Sequence, residues 1–300
     1  MMLMAQLVKL SDYVSRYETD IYRYPSRFVR LKKERWQRIL TEWERQEVTS
    51  NHNHEKETVK KGKGIWPFKR KVDKEEVTFH PFIKSSTTKT LEEVKEGFQK
   101  ELHSFKVNWA SSTVSEISSV QRKHYYDNLL ITLLRDLPDS NLLFYYPAIL
   151  HKKAPVDLDI LLLTPSELWL ITPLGGNDKT IYRPQADRFW EKVQGHNQEK
   201  ILNPVISLKR MRTVMETILL EKNLSVTIKT LILAKDSYID VSHKRITTID
   251  KRTFTEWKQS LVKNVAPIKH QQLKIAEAIL SQTITISRKR QEFVDGTIND

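Results

Sequence analysis

Residues 156–176, VDLDILLLTPSELWLITPLGG, restrict the possible folds of this chain more than any other stretch. Two solid apolar runs, Ile160 to Leu163 and Leu168 to Ile171, are separated by Thr164, Pro165, Ser166 and Glu167. Proline fixes φ and serine bonds to its own backbone, so the break is a turn and the runs are two strands. Strands this uniformly apolar are covered on both faces, which puts them at the centre of a sheet with helices on either side. Asp157 and Asp159 open the first strand. Residues two apart on a strand share a face, so the two carboxylates are expected to point the same way.

Amphipathic segments surround this pair. Residues 1–49 read as helical. Phe28, Leu31, Trp36, Ile39, Leu40 and Trp43 recur at spacings of three and four, with Ser26 as the N-cap. Tyr13, Tyr17, Ile21, Tyr22 and Tyr24 mark a tyrosine-rich segment before it, and Arg16, Arg23, Arg27, Arg30, Lys32, Lys33, Arg35 and Arg38 line the other faces. Such an arm suits either a nucleic-acid or membrane surface, or packing of its aromatic stripe on the main domain or a protein partner. Residues 50–84 are a polar and basic linker that carries Trp66, Phe68, Lys69, Arg70 and Lys71. An aromatic pair beside a basic triplet either stacks on bases and neutralises phosphate, or anchors the linker. Residues 77–83 are extended. Thr90 and Glu93 form a capping box, after which Leu91, Val94, Phe98, Leu102 and Phe105 make a helical stripe. A second helix is expected over 114–137 and one strand over 141–150. Further strands are expected over 179–183, 227–234 and 245–249. Helices are expected from Asn203-Pro204 to about Lys222, over 253–262 and over 269–281. Residues 283–300 form a polar tail expected to fray.

Composition narrows the chemistry. The 300 residues contain no cysteine, which excludes disulfides, thiolate metal sites and a thiol nucleophile, and suits a reducing cytoplasm. The net charge of +13 favours phosphate-bearing or anionic partners. No apolar run approaches the roughly 18 residues that span a bilayer. Phosphate-binding glycine loops and the HExxH and GxSxG motifs are missing.

The central pair also resembles the core of the nuclease-related domain, a family similar to the PD-(D/E)xK nucleases. Asp159-Ile160-Leu161-Leu162-Leu163-Thr164-Pro165 matches the first half of that pattern. In the second half Leu168-Trp169-Leu170-Ile171 leads to Thr172-Pro173-Leu174, so Thr172 stands at the family's Glu and Leu174 at its Lys. Leu134-Arg135-Asp136-Leu137-Pro138 resembles the end of the family's leading helix, which puts Asp127 at that helix's Glu. Trp190 and Asn203-Pro204-Val205 resemble later landmarks, with Ser207 where the family often has Gln. The resemblance covers about residues 115–260.

What it implies is an α/β fold with a mixed central sheet flanked by helices, similar to the restriction-endonuclease core, over residues 85–282, preceded by the helical basic extension. It also implies loss of catalysis. Such a nuclease needs two carboxylates to hold Mg²⁺ and a lysine to act on the attacking water. Thr172 is a poor metal ligand and Leu174 moves no proton. The leading expectation is therefore a cytoplasmic, non-catalytic nuclease-related protein without a cofactor that associates with DNA or RNA. One alternative is an Mg²⁺-dependent nuclease rebuilt around Asp157 and Asp159, with Asp127 as a further carboxylate and Lys152, Lys153 or Lys179 as the lysine. Another is a protein-binding scaffold that uses the aromatic N-terminal helices.

Overall fold

The computed structural model describes residues 3–52, 90–185, 188–240, 247–263 and 266–291, with backbone alone over 46–52. Trp66, Phe68, Lys69, Arg70, Lys71 and the segment 77–83 lie outside the described residues. In chain order the elements are β1 (Gln6–Leu10), α1 (Arg16–Thr19), α2 (Tyr24–His52), α3 (Leu91–Trp109), β2 (Glu116–Ile117), α4 (Lys123–Tyr126) and α5 (Asn128–Asp136). Then come β3 (Leu142–Tyr145), β4 (Ala148–His151), β5 (Ala154–Asp157), β6 (Ile160–Leu163), β7 (Glu167–Pro173), β8 (Thr180–Arg183), β9 (Phe189–Gln194), β10 (Asn197–Leu202) and α6 (Pro204–Glu221). The last are β11 (Thr227–Ala234), β12 (Tyr238–Ile239), β13 (Thr248–Asp250), α7 (Phe254–Lys263), α8 (His270–Leu280) and β14 (Arg288–Lys289).

A six-stranded sheet in the order β1-β3-β6-β7-β11-β13 forms the centre. β3, β6 and β7 run as an antiparallel meander, while β1 joins β3, and β11 and β13 join beyond β7, all in parallel. The sheet is thus mixed, and β6 and β7, the two apolar runs, occupy its middle as expected. Register explains why both of their faces are apolar. Ile160, Leu162, Trp169 and Ile171 lie in one buried cluster with Leu130, Leu133 and Leu134 of α5 and Trp257 and Leu261 of α7. The opposite face carries Leu161, Leu163, Leu168 and Leu170, all fully buried, and α6 packs against β7 and β11.

The chain divides into two compact units, Met1–Pro25 with His103–Asp300, and Ser26–Leu102. These boundaries fall inside α2 and α3. In the second unit Trp36 of α2 lies against Phe98 of α3 with ring centroids 5.1 Å apart, and Arg35 pairs with Glu101 at 3.2 Å. The capping box forms: Thr90 N donates to the Glu93 carboxylate at 2.8 Å and Glu93 N to Thr90 Oγ1 at 3.3 Å.

The first unit corrects several expectations. Residues 6–10, read as helical, are an edge strand of the central sheet. A bulge at Val8 breaks the register between Leu7 and Lys9, so Leu7 meets Leu143, Lys9 meets Phe144 and Leu10 meets Tyr145. Leu7 and Leu10 thus share the cluster face although they are three apart, a spacing that imitates a helix. Asp20 Oδ1 accepts from Tyr22 N and Arg23 N, and α2 starts at Tyr24 rather than after Ser26. Pro25 is tolerated because the first turn needs no donor there. Tyr13, Tyr17 and Tyr24 are buried, and Trp109 stacks edge-on with Tyr17 and Tyr24.

The long helix expected over 114–137 is broken into β2, α4 and α5. Asp127 is extended (φ −69°, ψ 107°) and its Oδ1 accepts from Leu129 N and Leu130 N, so it caps α5 instead of lying within a helix. The strand expected over 141–150 stops at Tyr145, because Tyr146 takes φ +51° and Pro147 follows. The tail does not fray over 283–291. Ile284 N donates to Ala148 O, Ile286 N to Asp12 O and Arg290 N to Ser115 O, and β14 pairs with β2.

A second, four-stranded sheet in the order β10-β9-β8-β12 follows β7. The link passes through Gly175 and Gly176. Gly175 O accepts from Tyr182 Oη and Ser237 Oγ, and Gly176 holds φ +106° where a Cβ would meet the Thr180 side chain at 2.8 Å. Trp190 and Tyr182 are buried on the inner side of this sheet.

Candidate functional site

Asp159 lies between β5 and β6, and Thr172 stands near the end of β7. Because Ile160 pairs with Ile171 in the antiparallel register, Asp159 and Thr172 are the next facing pair. Thr172 Oγ1 donates to Asp159 Oδ2 at 2.7 Å. Ser207, in the first turns of α6, donates its Oγ to the same oxygen at 2.6 Å. Asn203 sets that turn by capping the helix through Val205 N, with Pro204 at the first position, which holds Ser207 over the sheet end. Thr172 is buried and Asp159 half-buried. The Asp159 backbone carbonyl accepts from Tyr146 N at 2.8 Å.

Asp127 joins from the other face. Its Oδ1 is occupied by the two α5 amides and its Oδ2 accepts from Tyr145 Oη at 2.7 Å. Burial first, then the bond and charge of Asp127, push the Tyr145 phenol well above the usual range. The neighbouring Tyr146 phenol is pushed up to about 12, by burial first and then by the fields of Asp159 and Asp127. Tyr146 thus stands in the fields of both carboxylates, with its ring 4.8 Å from that of Tyr145. A tyrosine at φ +51° costs of order 1 kcal/mol or more, and sustained strain of this kind concentrates where a site fixes side chains.

The structure therefore gathers Asp159, Thr172 and Ser207 into one node and sets Asp127 beside Tyr145. It separates the other positions. Asp157 is exposed, ends β5 and pairs with Ala148 in the β4–β5 hairpin, while the buried Leu158 lies between it and Asp159. The two aspartates do not share a strand, because the apolar run begins only at Ile160. Leu174 donates its backbone N to Leu233 O at 2.7 Å and has only carbon beyond Cα to offer the node. Lys152 and Lys153 form the exposed tip of the β4–β5 hairpin at φ +48° and +67°, and Lys179 is exposed after Asn177. Among the described residues no lysine bonds Asp127 or Asp159.

Mg²⁺, which the nuclease resemblance implies, does not fit this donor set. Asp159 turns one oxygen to two hydroxyl donors, and Asp127 spends both oxygens on amides and a phenol. Among the described residues no three or more histidine or acidic side chains gather at metal-binding spacing. Tyr145 and Tyr146 were missed in the sequence. The signal available was Tyr-Tyr-Pro at a strand end, a place where a strand cannot continue. Among the described residues, no helix is long and apolar enough to cross a membrane.

No family model matches the chain, and no solved structure matches it. Among characterised proteins, an RNA 2',3'-cyclic phosphodiesterase from Geobacillus stearothermophilus is 54% identical over 41 residues. That segment covers 14% of this chain and 13% of the relative's own length.

Proposed function

We propose that this chain is a non-catalytic relative of the nuclease-related domain, resident in the cytoplasm, that associates with nucleic acid through its basic surface. The observation that carries this is the Asp159 node. At the position where the resemblance calls for a second carboxylate stands Thr172, and its hydroxyl, joined by Ser207, is bonded to the remaining aspartate. Hydroxyl donors satisfy a carboxylate in place of a cation, which suits a structural role for the old motif. The lysine position is filled by Leu174. The mixed sheet and the element order α5, β3, β6, β7, α6, β11 agree with the restriction-endonuclease-like core that the resemblance implies. The net charge of +13 supplies attraction for phosphate.

The test incubates the full chain with single- and double-stranded DNA and RNA at two salt concentrations, with and without Mg²⁺, and follows both binding and products on a gel. Intact nucleic acid bound more tightly at the lower salt is the expected result. Mg²⁺-dependent cleavage that Asp159→Ala abolishes would overturn the non-catalytic reading. Absence of binding at low salt would overturn the nucleic-acid reading and leave a protein-binding scaffold.

A further inference from the structure

We infer that the outer face of the four-stranded sheet β10-β9-β8-β12 is the surface that takes the nucleic acid, and that it takes it as a single strand. This rests on the nucleic-acid reading above and adds the place and the strandedness.

The register sorts the side chains. Thr180, Tyr182, Trp190 and Ile239 are all buried, so they define the inner face. The outer face is then Ile181 and Arg183 of β8, Phe189, Glu191 and Val193 of β9, Gln198, Lys200 and Leu202 of β10, and Tyr238 of β12. On an ordinary sheet that faces water these positions would be polar. Here Phe189 is 43% exposed, Leu202 beside it 53% and Ile181 39%. Among the described residues no element covers them.

The pattern on this face suits bases and phosphates together. Phe189 has the Arg188 guanidinium 5.9 Å from its ring centre, and Tyr238 has that of Arg252 at 5.7 Å. Each is an aromatic ring with a planar cation over one side, although Arg252 is also paired with Asp250, and aromatic rings with such cation–π neighbours are the platforms on which unstacked bases lie. Between the two aromatic positions runs a cross-strand row, Arg183–Glu191–Lys200. Among the described residues neither Arg183 nor Lys200 has a carboxylate within ion-pair distance. Glu191 and the exposed Asp240, which follows β12 beside Arg183 in the register, oppose them, but Arg183, Lys200 and Arg188 leave the face positive. Phe189 and Tyr238 are two strands apart sideways and about four residues apart along the strands, hence ~16 Å diagonally at ~4.8 Å per strand and ~3.3 Å per residue. At ~3.4 Å per stacked nucleotide, that is a run of about five. A duplex hides its base faces inside the stack and offers these rings nothing, which is why the face selects a single strand.

The test is fluorescence anisotropy of the full chain with labelled twelve-nucleotide single strands of uridine and of thymidine, and with a duplex of the same length, at two salt concentrations. Phe189→Ala is expected to weaken single-strand binding by about 5- to 150-fold. Arg183→Gln with Lys200→Gln is expected to lower the slope of log affinity against log salt by about 1.4, at ~0.7 per phosphate contact. Lys152→Gln with Lys153→Gln, an equal loss of charge at the hairpin tip, is the control and is expected to leave the Phe189 effect intact. Circular dichroism and the melting temperature of each variant show whether it still folds. If the wild type binds and the sheet variants bind as tightly, the surface lies elsewhere and this inference falls while the nucleic-acid reading stands. Duplex bound as tightly as single strand overturns the choice of strand. A wild type that binds neither overturns both.

Discussion

Two carboxylates in the first unit are held in opposite ways. Glu18, the third residue of α1, accepts from the buried Lys9 ammonium, from Ser15 N, and from Thr283 and Thr285 hydroxyls at 3.0 and 2.8 Å. Asp159 accepts from two neutral hydroxyls at the other node. Lys9 has no exposed side-chain surface, and burial lowers its pKa against the pull of Glu18. The first node is an ion pair whose members depend on each other. The second is a carboxylate that gives up little if one donor is lost, since water reaches it. One donor at the Asp159 node is therefore replaceable by water, whereas the fully buried Lys9 ammonium depends on Glu18 as its charge partner.

The largest expected effect is on the ion pair. Glu18→Ala leaves the buried ammonium with the Thr285 hydroxyl and no counter-charge, and should cost about 3–5 kcal/mol in a urea titration, and Lys9→Met with Glu18→Leu should recover most of it. The sign with pH follows from burial. Because the folded pKa of Lys9 lies below 10.5, the folded state sheds the proton first, and stability rises with pH between the folded value and 10.5. Lys9→Met should remove that alkaline rise.

A third carboxylate sharpens the contrast. Asp136 bonds Arg135 and Lys258, the latter reaching from α7 at 2.6 Å. Burial raises its pKa, but the two cations together outweigh this and leave it lowered. Its contribution is present above about pH 3.8 and is lost as pH falls through the folded value. Asp136→Asn should cost about 1.5–3 kcal/mol at pH 7 and progressively less in acid, measured as the shift in denaturant midpoint.

Smaller effects are expected at the Asp159 node. Thr172→Val keeps the shape and removes one donor, for about 1 kcal/mol, and Ser207→Ala a similar amount. In an Asp159→Ala background both losses should vanish, so a double-mutant cycle should read a coupling of about 1 kcal/mol for each. A Thr172→Val loss above about 3 kcal/mol would break the comparison, because Asp159 would then be as dependent as Glu18. Smallest is the hairpin tip. Lys152→Asn with Lys153→Gly suits a turn with two positive φ angles and should stabilise by about 0.5–1 kcal/mol, read as a rise in melting temperature.

What the sequence disclosed divides along physical lines. β6, β7 and residues 231–234 of β11 were legible because unbroken branched and aliphatic runs have one solution, a strand covered on both sides. The start of α6 was legible because Asn203-Pro204 is local cap chemistry. β1 was not, since the bulge at Val8 puts Leu7 and Leu10 on one face and counterfeits a helical spacing. Asp127 was misplaced for a related reason. Its apolar neighbours continue a helical period, and only the bonds to Leu129 N and Leu130 N reveal the break. At the candidate site, Asp159, Thr172 and Ser207 were visible as motif positions, but their joining into one node depends on register and on the approach of α6, which no short window contains. The tail over 283–291 looked free because its partners, Asp12, Ser115 and Ala148, are distant in sequence.

The place of β1 beside β3 has a consequence for how the molecule assembles. Gln6 of β1 donates to the Asp139 carbonyl, 133 positions along the chain, at 2.8 Å. Closing a loop of that size costs only ~0.6 kcal/mol more for each doubling of length, so the intervening helices hardly weaken the finished sheet. They slow its completion instead, since contacts between remote segments form late in folding. The meander β3-β6-β7 is built from neighbours and can form early, with β1 docking onto a surface already made. An edge added last is also an edge that opens before the centre, so amide exchange should be faster along β1 than in β6 and β7. Each opening would uncover the outer side of β3, where another extended chain can pair.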